Sequence, residues 1–105
     1  MIKEKHITLI HNNIRIDEHK FITSKGKIKD FATNLSILIE YKRFDVFRVD
    51  TTHGALHIQE FWKSPEPKYL QKKKKSDYKG DFGYWKDIVK KNYDKWINLW
   101  KKRKR

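Results

Sequence analysis

The chain reads as a single α+β domain, an antiparallel sheet of about five strands packed on a long C-terminal helix. Three observations lead there. Residues 6–62 hold short β-branched and aromatic runs that alternate apolar with polar side chains between Asn-, Gly- and Lys-containing turns. From about residue 81 to 102 the apolar positions instead recur at threes and fours. A length of 105 residues supports one modest core and not two, so residues 1–105 form one domain.

His6-Ile7-Thr8-Leu9-Ile10 opens the sheet, and Asn12-Asn13 turns it toward Ile14-Arg15-Ile16. Lys20 to Ser24 is a further short run, closed by Lys25-Gly26-Lys27, where Gly26 accommodates a positive φ. Between Lys29 and Tyr41 the alternation Phe31, Thr33, Leu35, Ile37, Ile39 supports a strand with one buried face, although Ala32, Leu35 and Leu38-Ile39 also fit a helical period. A hairpin follows. With its loop near Thr52-His53, Arg48 stands opposite His57, Asp50 opposite Ala55, Val46 opposite Gln59 and Phe44 opposite Phe61. One face then carries Phe47, Val49, Leu56, Ile58 and Trp62, and the other carries Arg48, Asp50 and His57, with Phe61 and Trp62 on opposite faces. Gly54 suits a left-handed position in the loop. Ser64-Pro65-Glu66-Pro67 is expected to end the sheet, and residues 63–80 to form an exposed, mobile basic loop. In the helix, Trp85, Ile88, Val89, Tyr93, Trp96, Leu99 and Trp100 form the apolar stripe, Asp81 is the candidate cap, and the basic C-terminus opposes the dipole.

Charge points to a polyanionic partner. The formal net charge is +13 and the mean hydropathy is low, so nucleic acid, bound through counterion release, is the leading class, with an acidic protein as another. Lys72, Lys73, Lys74 and Lys75, with Lys42 and Arg43, are the candidate phosphate-contacting residues. With zero cysteines the chain offers no disulfide, thiolate nucleophile or Cys-based zinc site, and a cytoplasmic location is expected. Met1 to His6 lacks a long apolar stretch, and the longest apolar run, Ile37-Leu38-Ile39, is too short for a bilayer, so no membrane role is expected. The sequence leaves a homo-oligomer open.

Arg48, Asp50, His53 and His57 gather the chemically active side chains around one turn. Metal-independent RNA cleavage needs a base for the 2′-hydroxyl, an acid for the departing oxygen and a cation for the phosphate. His57 and His53 can share the first two roles, Arg48 the third, and Asp50 can orient an imidazole, with no cofactor required. Two other readings compete for these residues. In one, Asp50 accepts hydrogen bonds from the Thr52 and His53 amides while Arg48 and His57 form a surface pair. In the other, Asp50, His53 and His57 ligate a metal, a weaker reading because hairpin spacing fixes no ligand geometry. At helical spacing, Trp85, Trp96 and Trp100 read as core before they read as base-stacking residues, and His6, His11 and His19 read as incidental.

The Arg-x-Asp-x-x-His-Gly-x-x-His pattern of Arg48, Asp50, His53, Gly54 and His57, followed by Phe61-Trp62, resembles small archaeal and bacterial toxins of the TumE type. Phe31-Ala32-x-Asn34-Leu35 and the Trp-rich helix extend the likeness over most of the chain after residue 28. This resemblance implies a toxin-antitoxin pair with a neighbouring antitoxin and RNA or another nucleic acid as target. The sequence thus favours a toxin-like ribonuclease, with a non-enzymatic nucleic-acid-binding module or an interaction subunit for an acidic protein as alternatives.

Overall fold

The computed structural model describes residues 1–103; Lys104 and Arg105, the end of the basic tail, lie outside the described residues. Strands β1 (Ile2–His11), β2 (Ile14–Ile22), β3 (Ile28–Ile39), β4 (Lys42–Asp50), β5 (His57–Glu60) and β6 (Ser64–Tyr69) precede helix α1 (Lys79–Lys101). All neighbours pair antiparallel, in the order β1-β2-β3-β4-β5-β6, and the helix packs across β3 and β4. The architecture is therefore the expected α+β one, with six strands where about five were anticipated.

The segment read as strand or helix between Lys29 and Tyr41 is strand as far as Ile39, because its alternate residues Phe31, Thr33 and Leu35 all sit fully buried beneath the helix. β3 turns into β4 through Glu40 and Tyr41, both at positive φ (49° and 68°), the geometry of a two-residue hairpin loop. Gly26, at φ 79°, closes the β2–β3 turn by donating its amide to the Thr23 carbonyl at 2.9 Å. β2 runs unbroken through Asp17-Glu18-His19, a stretch without hydrophobic alternation. Glu18 goes to the helix side, 2% exposed with Lys86 Nζ 3.8 Å away, while Arg15, Asp17, His19 and Phe21 occupy the open face.

Two expectations for the C-terminal half are corrected. Ser64-Pro65-Glu66-Pro67 does not end the sheet; it forms the outer strand β6, where a proline's missing amide faces no partner strand. The following connection keeps its lysine run exposed, as expected, and is tied to the sheet at its ends: Leu70 donates its amide to Leu56 O, Tyr78 to Ile28 O, and the Ile28 amide reaches Asp77 Oδ1, at 2.8 to 3.1 Å. Tyr78 is wholly buried and its hydroxyl accepts the Lys75 amide at 2.9 Å. The helix begins at Lys79, two residues before Asp81. Asp77, not Asp81, accepts the first free helical amide, that of Lys79, at 3.0 Å. Those two backbone hydrogen bonds hold the Asp77 carboxyl below its ordinary range. Asp81 instead lies in the first turn, paired with Lys75 at 2.9 Å.

The core lies between the helix and one sheet face. Phe47 is its centre, stacked on Trp96 with centroids 4.2 Å apart and flanked by Trp85 and Trp62. The Trp residues are thus core, as their spacing suggests. Phe61 joins Trp62 in packing against this cluster, so the two do not divide between faces. Of the expected helical stripe, Val89 and Trp100 are buried, but Leu99 is 40% exposed and Ile97 takes the buried position. Phe47→Ala should accordingly cost about 3–5 kcal/mol of unfolding free energy. Leu99→Ala should stay within roughly 0.5 kcal/mol. Urea denaturation of both variants checks this, and a comparable loss in Leu99→Ala would contradict the packing.

Candidate functional site

A six-residue loop, residues 51–56, joins β4 to β5, longer than the expected tight turn because Thr51 still bonds to Phe31 of β3. Its amide donates to Phe31 O at 3.0 Å, and its hydroxyl oxygen accepts the Phe31 amide at 3.0 Å. This corner moves the β4–β5 register two residues along. Asp50 stands opposite His57, and Arg48 opposite Gln59, in place of the expected Arg48–His57 pair. Phe44 has no such partner in Phe61, whose amide instead bonds Val46 O at 3.1 Å. A shift of two preserves side-chain parity, so the polar group remains together on the face away from the helix.

Asp50 is the joint of this site. Oδ1 accepts both the amide and the hydroxyl of Thr52 at 2.6 Å, while Oδ2 accepts Arg48 Nε at 3.0 Å. Burial pushes its carboxyl up, but the Thr52 hydroxyl and amide and the Arg48 guanidinium outweigh it, and the net shift lies below the usual carboxylate range. No hydrogen bond joins Asp50 to an imidazole among the described residues. His57 is oriented instead by a backbone group: Nδ1 lies 3.0 Å from Ala55 O. A carbonyl only accepts, so Nδ1 carries the proton and Nε2 of the neutral ring keeps its lone pair. The residue is 5% exposed, and its ring packs beside Tyr69, with centroids 5.0 Å apart.

Arg48, Asp50, His53 and His57 line one open cleft of about 340 Å³, with Gln59, Pro67 and Tyr69 completing its wall. His53 is exposed on the loop. Arg48, its side chain 36% exposed, uses Nε on Asp50; its terminal nitrogens have no hydrogen-bond partner among the described residues. Asp50, His53 and His57 do not converge as metal ligands, and no group of three or more His, Cys, Asp or Glu side chains is so arranged among the described residues.

The lysine candidates divide. Lys74 pairs with Asp30 and Lys75 with Asp81, which anchors the loop, whereas no ion pair engages Lys72 or Lys73 among the described residues. Lys42 and Arg43 begin β4, and the eight-residue separation of Lys42 from Asp50 spans roughly 26 Å of strand. Arg43 donates to Ser36 Oγ at 3.0 Å on the open face, while Lys42 lines a cleft with Phe44 and Trp100 on the helix side. These two residues are not part of the site around Arg48.

His19, read from sequence as incidental, belongs to this region. It pairs with Ala32, Ala32 with Asp50, and Asp50 with His57, so one row crosses four strands. Burial lowers its pKa, as do the charges of Lys5, Lys3 and Arg48, against an opposing contribution from Asp17. Asp17, Asn34 and Arg48 form the adjacent row. The usable signal was that Arg15, Asp17, His19 and Phe21 fall at alternate positions once β2 is one strand.

Fold and site together define a small, basic α+β protein whose sheet leaves a polar face open beside an ordered Arg-Asp-His turn. Over residues 1–105 the chain belongs to the family described as Domain of unknown function (DUF7718). No curated protein and no solved structure shows significant similarity to it. No helix among the described residues is long and apolar enough to cross a membrane.

The depressed Asp50 carboxyl gives a pH signature. Its contribution to stability is present above the ordinary carboxylate pKa and is lost as pH falls through the lower folded value. Melting temperature should therefore fall more between about pH 7 and about pH 3 in wild type than in Asp50→Asn. Parallel acid-induced losses in the two proteins would show that Asp50 carries no such linkage.

Proposed function

We propose that the protein is a toxin-like, metal-independent endoribonuclease that cleaves single-stranded RNA at the Arg48–His57 cleft. The observation that carries this reading is the ordering of His57: a backbone carbonyl holds Nδ1–H, and a proton-accepting nitrogen remains on a ring that lines the same cleft as Arg48. In the proposed reaction, His57 Nε2 takes the proton of a 2′-hydroxyl. The 2′-oxygen attacks the adjacent phosphorus, the bond to the 5′-oxygen breaks, and protonated His53 supplies the proton to that leaving group. A 2′,3′-cyclic phosphate and a free 5′-hydroxyl result. Arg48 offers its terminal N–H groups to the nonbridging oxygens as charge builds.

Asp50 acts as a positioning residue for Arg48 and the loop that carries His53. The net charge of +13 supports a polyanionic substrate, and the resemblance of the Arg48-to-His57 pattern to TumE-type toxins supports an antitoxin partner for the same protein. A cytoplasmic site of action fits a chain with zero cysteines.

Labelled single-stranded RNA incubated with the protein in EDTA tests the reading. Wild type should yield products ending in a cyclic phosphate, and His57→Ala should cleave about 10²- to 10⁴-fold more slowly while retarding RNA in a gel nearly as well. Retardation by both proteins without products would replace the ribonuclease with a basic binding module.

A further inference from the structure

The sheet has two outer strands, and the sequence treats them differently. β6 is short, and Pro65 and Pro67 interrupt its row of amides, two devices that keep a strand edge from recruiting another chain. β1 runs for ten residues, Ile2–His11, without a proline. It pairs with β2 alone, and α1 packs across β3 and β4 rather than over it. In an antiparallel ladder alternate residues turn amide and carbonyl to the neighbouring strand, and the rest turn them outward. Among the described residues no hydrogen bond reaches that outward row of β1.

The side chains along this edge divide into a charged half and an apolar half. On the open face Lys3 and Lys5 lead into Ile7 and Leu9, opposite Phe21, His19, Asp17 and Arg15 of β2 in turn. Ile7 and Leu9 are 45% and 65% exposed, and the residues facing them on β2 are the two members of the Arg15–Asp17 ion pair, which give them no apolar cover. Ile2, on the other face, is 64% exposed. A single exposed aliphatic side chain needs no explanation, but three along one unpaired edge mark it as a surface for contact.

We infer that β1 is a docking edge for an extended acidic segment of another protein, which joins the six-stranded sheet antiparallel as a further strand. The inference goes beyond the ribonuclease reading and does not rest on it, since Arg48, His53 and His57 take no part. Strand addition draws affinity from main-chain hydrogen bonds and selects through alternate side chains. The selecting positions here are Lys3 and Lys5, which call for carboxylates directly opposite, and Ile7 and Leu9, which call for apolar residues. A matched segment therefore alternates apolar residues toward its N-terminal end and acidic ones toward its C-terminal end. Charge decides against a second copy of this chain. A net charge of +13 sets two copies against each other, and β1 itself brings Lys3 and Lys5 against the single carboxylate of Glu4.

The synthetic peptide Thr-Val-Thr-Val-Thr-Glu-Thr-Glu-Thr carries that pattern, and its isomer Thr-Val-Val-Thr-Thr-Glu-Glu-Thr-Thr has the same charge without the alternation. Fluorescence anisotropy of the labelled peptides with the full chain should show the first binding on the order of tenfold more tightly. Hydrogen exchange should slow at amides within Ile2–His11 when that peptide is present, and stay unchanged in β6. Lys3→Glu combined with Lys5→Glu should weaken the first peptide on the order of tenfold, and a peptide with lysine in place of glutamate should bind that variant as the original binds wild type. The same rescue shows that the variant is folded. Equal binding or no binding of the two isomers, or binding without protection of β1, would overturn the docking edge and leave only charge attraction. Protection of β1 that rises with protein concentration in the absence of peptide would give the edge to a second copy and overturn the inference as well.

Discussion

One helix can shield only one face of a sheet, and the side chains of every strand answer to that limit. α1 covers the face that carries Phe31, Leu35, Phe47, Val49 and Ile58. Among the described residues no second layer covers the opposite face of the six antiparallel strands, which must satisfy water. Lys3, Arg15, Asp17, His19, Asn34, Arg48 and Gln59 meet that requirement. A polar sheet face of this kind is first a consequence of having one helix. What distinguishes it is the number of contacts that hold its side chains in place, since solubility alone asks for none.

Asp50 shows how structure and chemistry share one residue without competing. Its Thr52 bonds close the loop, while the remaining oxygen steadies Arg48 through Nε, the nitrogen least suited to reach a ligand. The terminal nitrogens keep their donors. His57 is arranged in the same way: one ring nitrogen is committed to Ala55 O, the other retains its chemistry. In both residues the committed atom fixes orientation, and preorganisation of that sort lowers the cost of ordering a site when substrate arrives.

Parity explains most of what could be read from the sequence. The hairpin register is displaced by two residues, because Thr51 bonds to Phe31 of β3, yet Arg48, Asp50 and His57 still share a face; a displacement of one would have turned His57 away from Arg48 and Asp50. His19 escaped notice because Asp17-Glu18-His19 contains no apolar residue to mark the strand's period, and Glu18 occupies the inward position that a hydrophobe would have signalled. β6 was hidden by Pro65 and Pro67, residues that argue against a central strand and are compatible with an outer one. Ile97 replaced Leu99 in the helix because the stripe Phe82, Trp85, Val89, Tyr93 and Trp96 continues to Ile97 and Trp100 on the buried side, four residues from Tyr93 and Trp96.

The division between lysine and arginine carries a further step. Arg15 forks onto Asp17, Arg43 reaches Ser36, Arg48 holds Asp50, and Arg103 lies over Trp100 with its guanidinium 3.6 Å from the ring centroid. Each of these four arginines has a defined geometry. The more numerous lysines largely occupy exposed positions, where their field acts through solvent and decays over about 8–10 Å at moderate salt. Under the proposed ribonuclease reading, lysine charge governs how often a polyanion arrives, and it cannot by itself hold a phosphate in one orientation. Arg48 can, because a guanidinium bonded at Nε still presents a planar pair of donors, an arrangement an ammonium group has no equivalent for. On that reading attraction and alignment fall to different side chains, and a polyanion drawn by the first would be discriminated only where it meets the second.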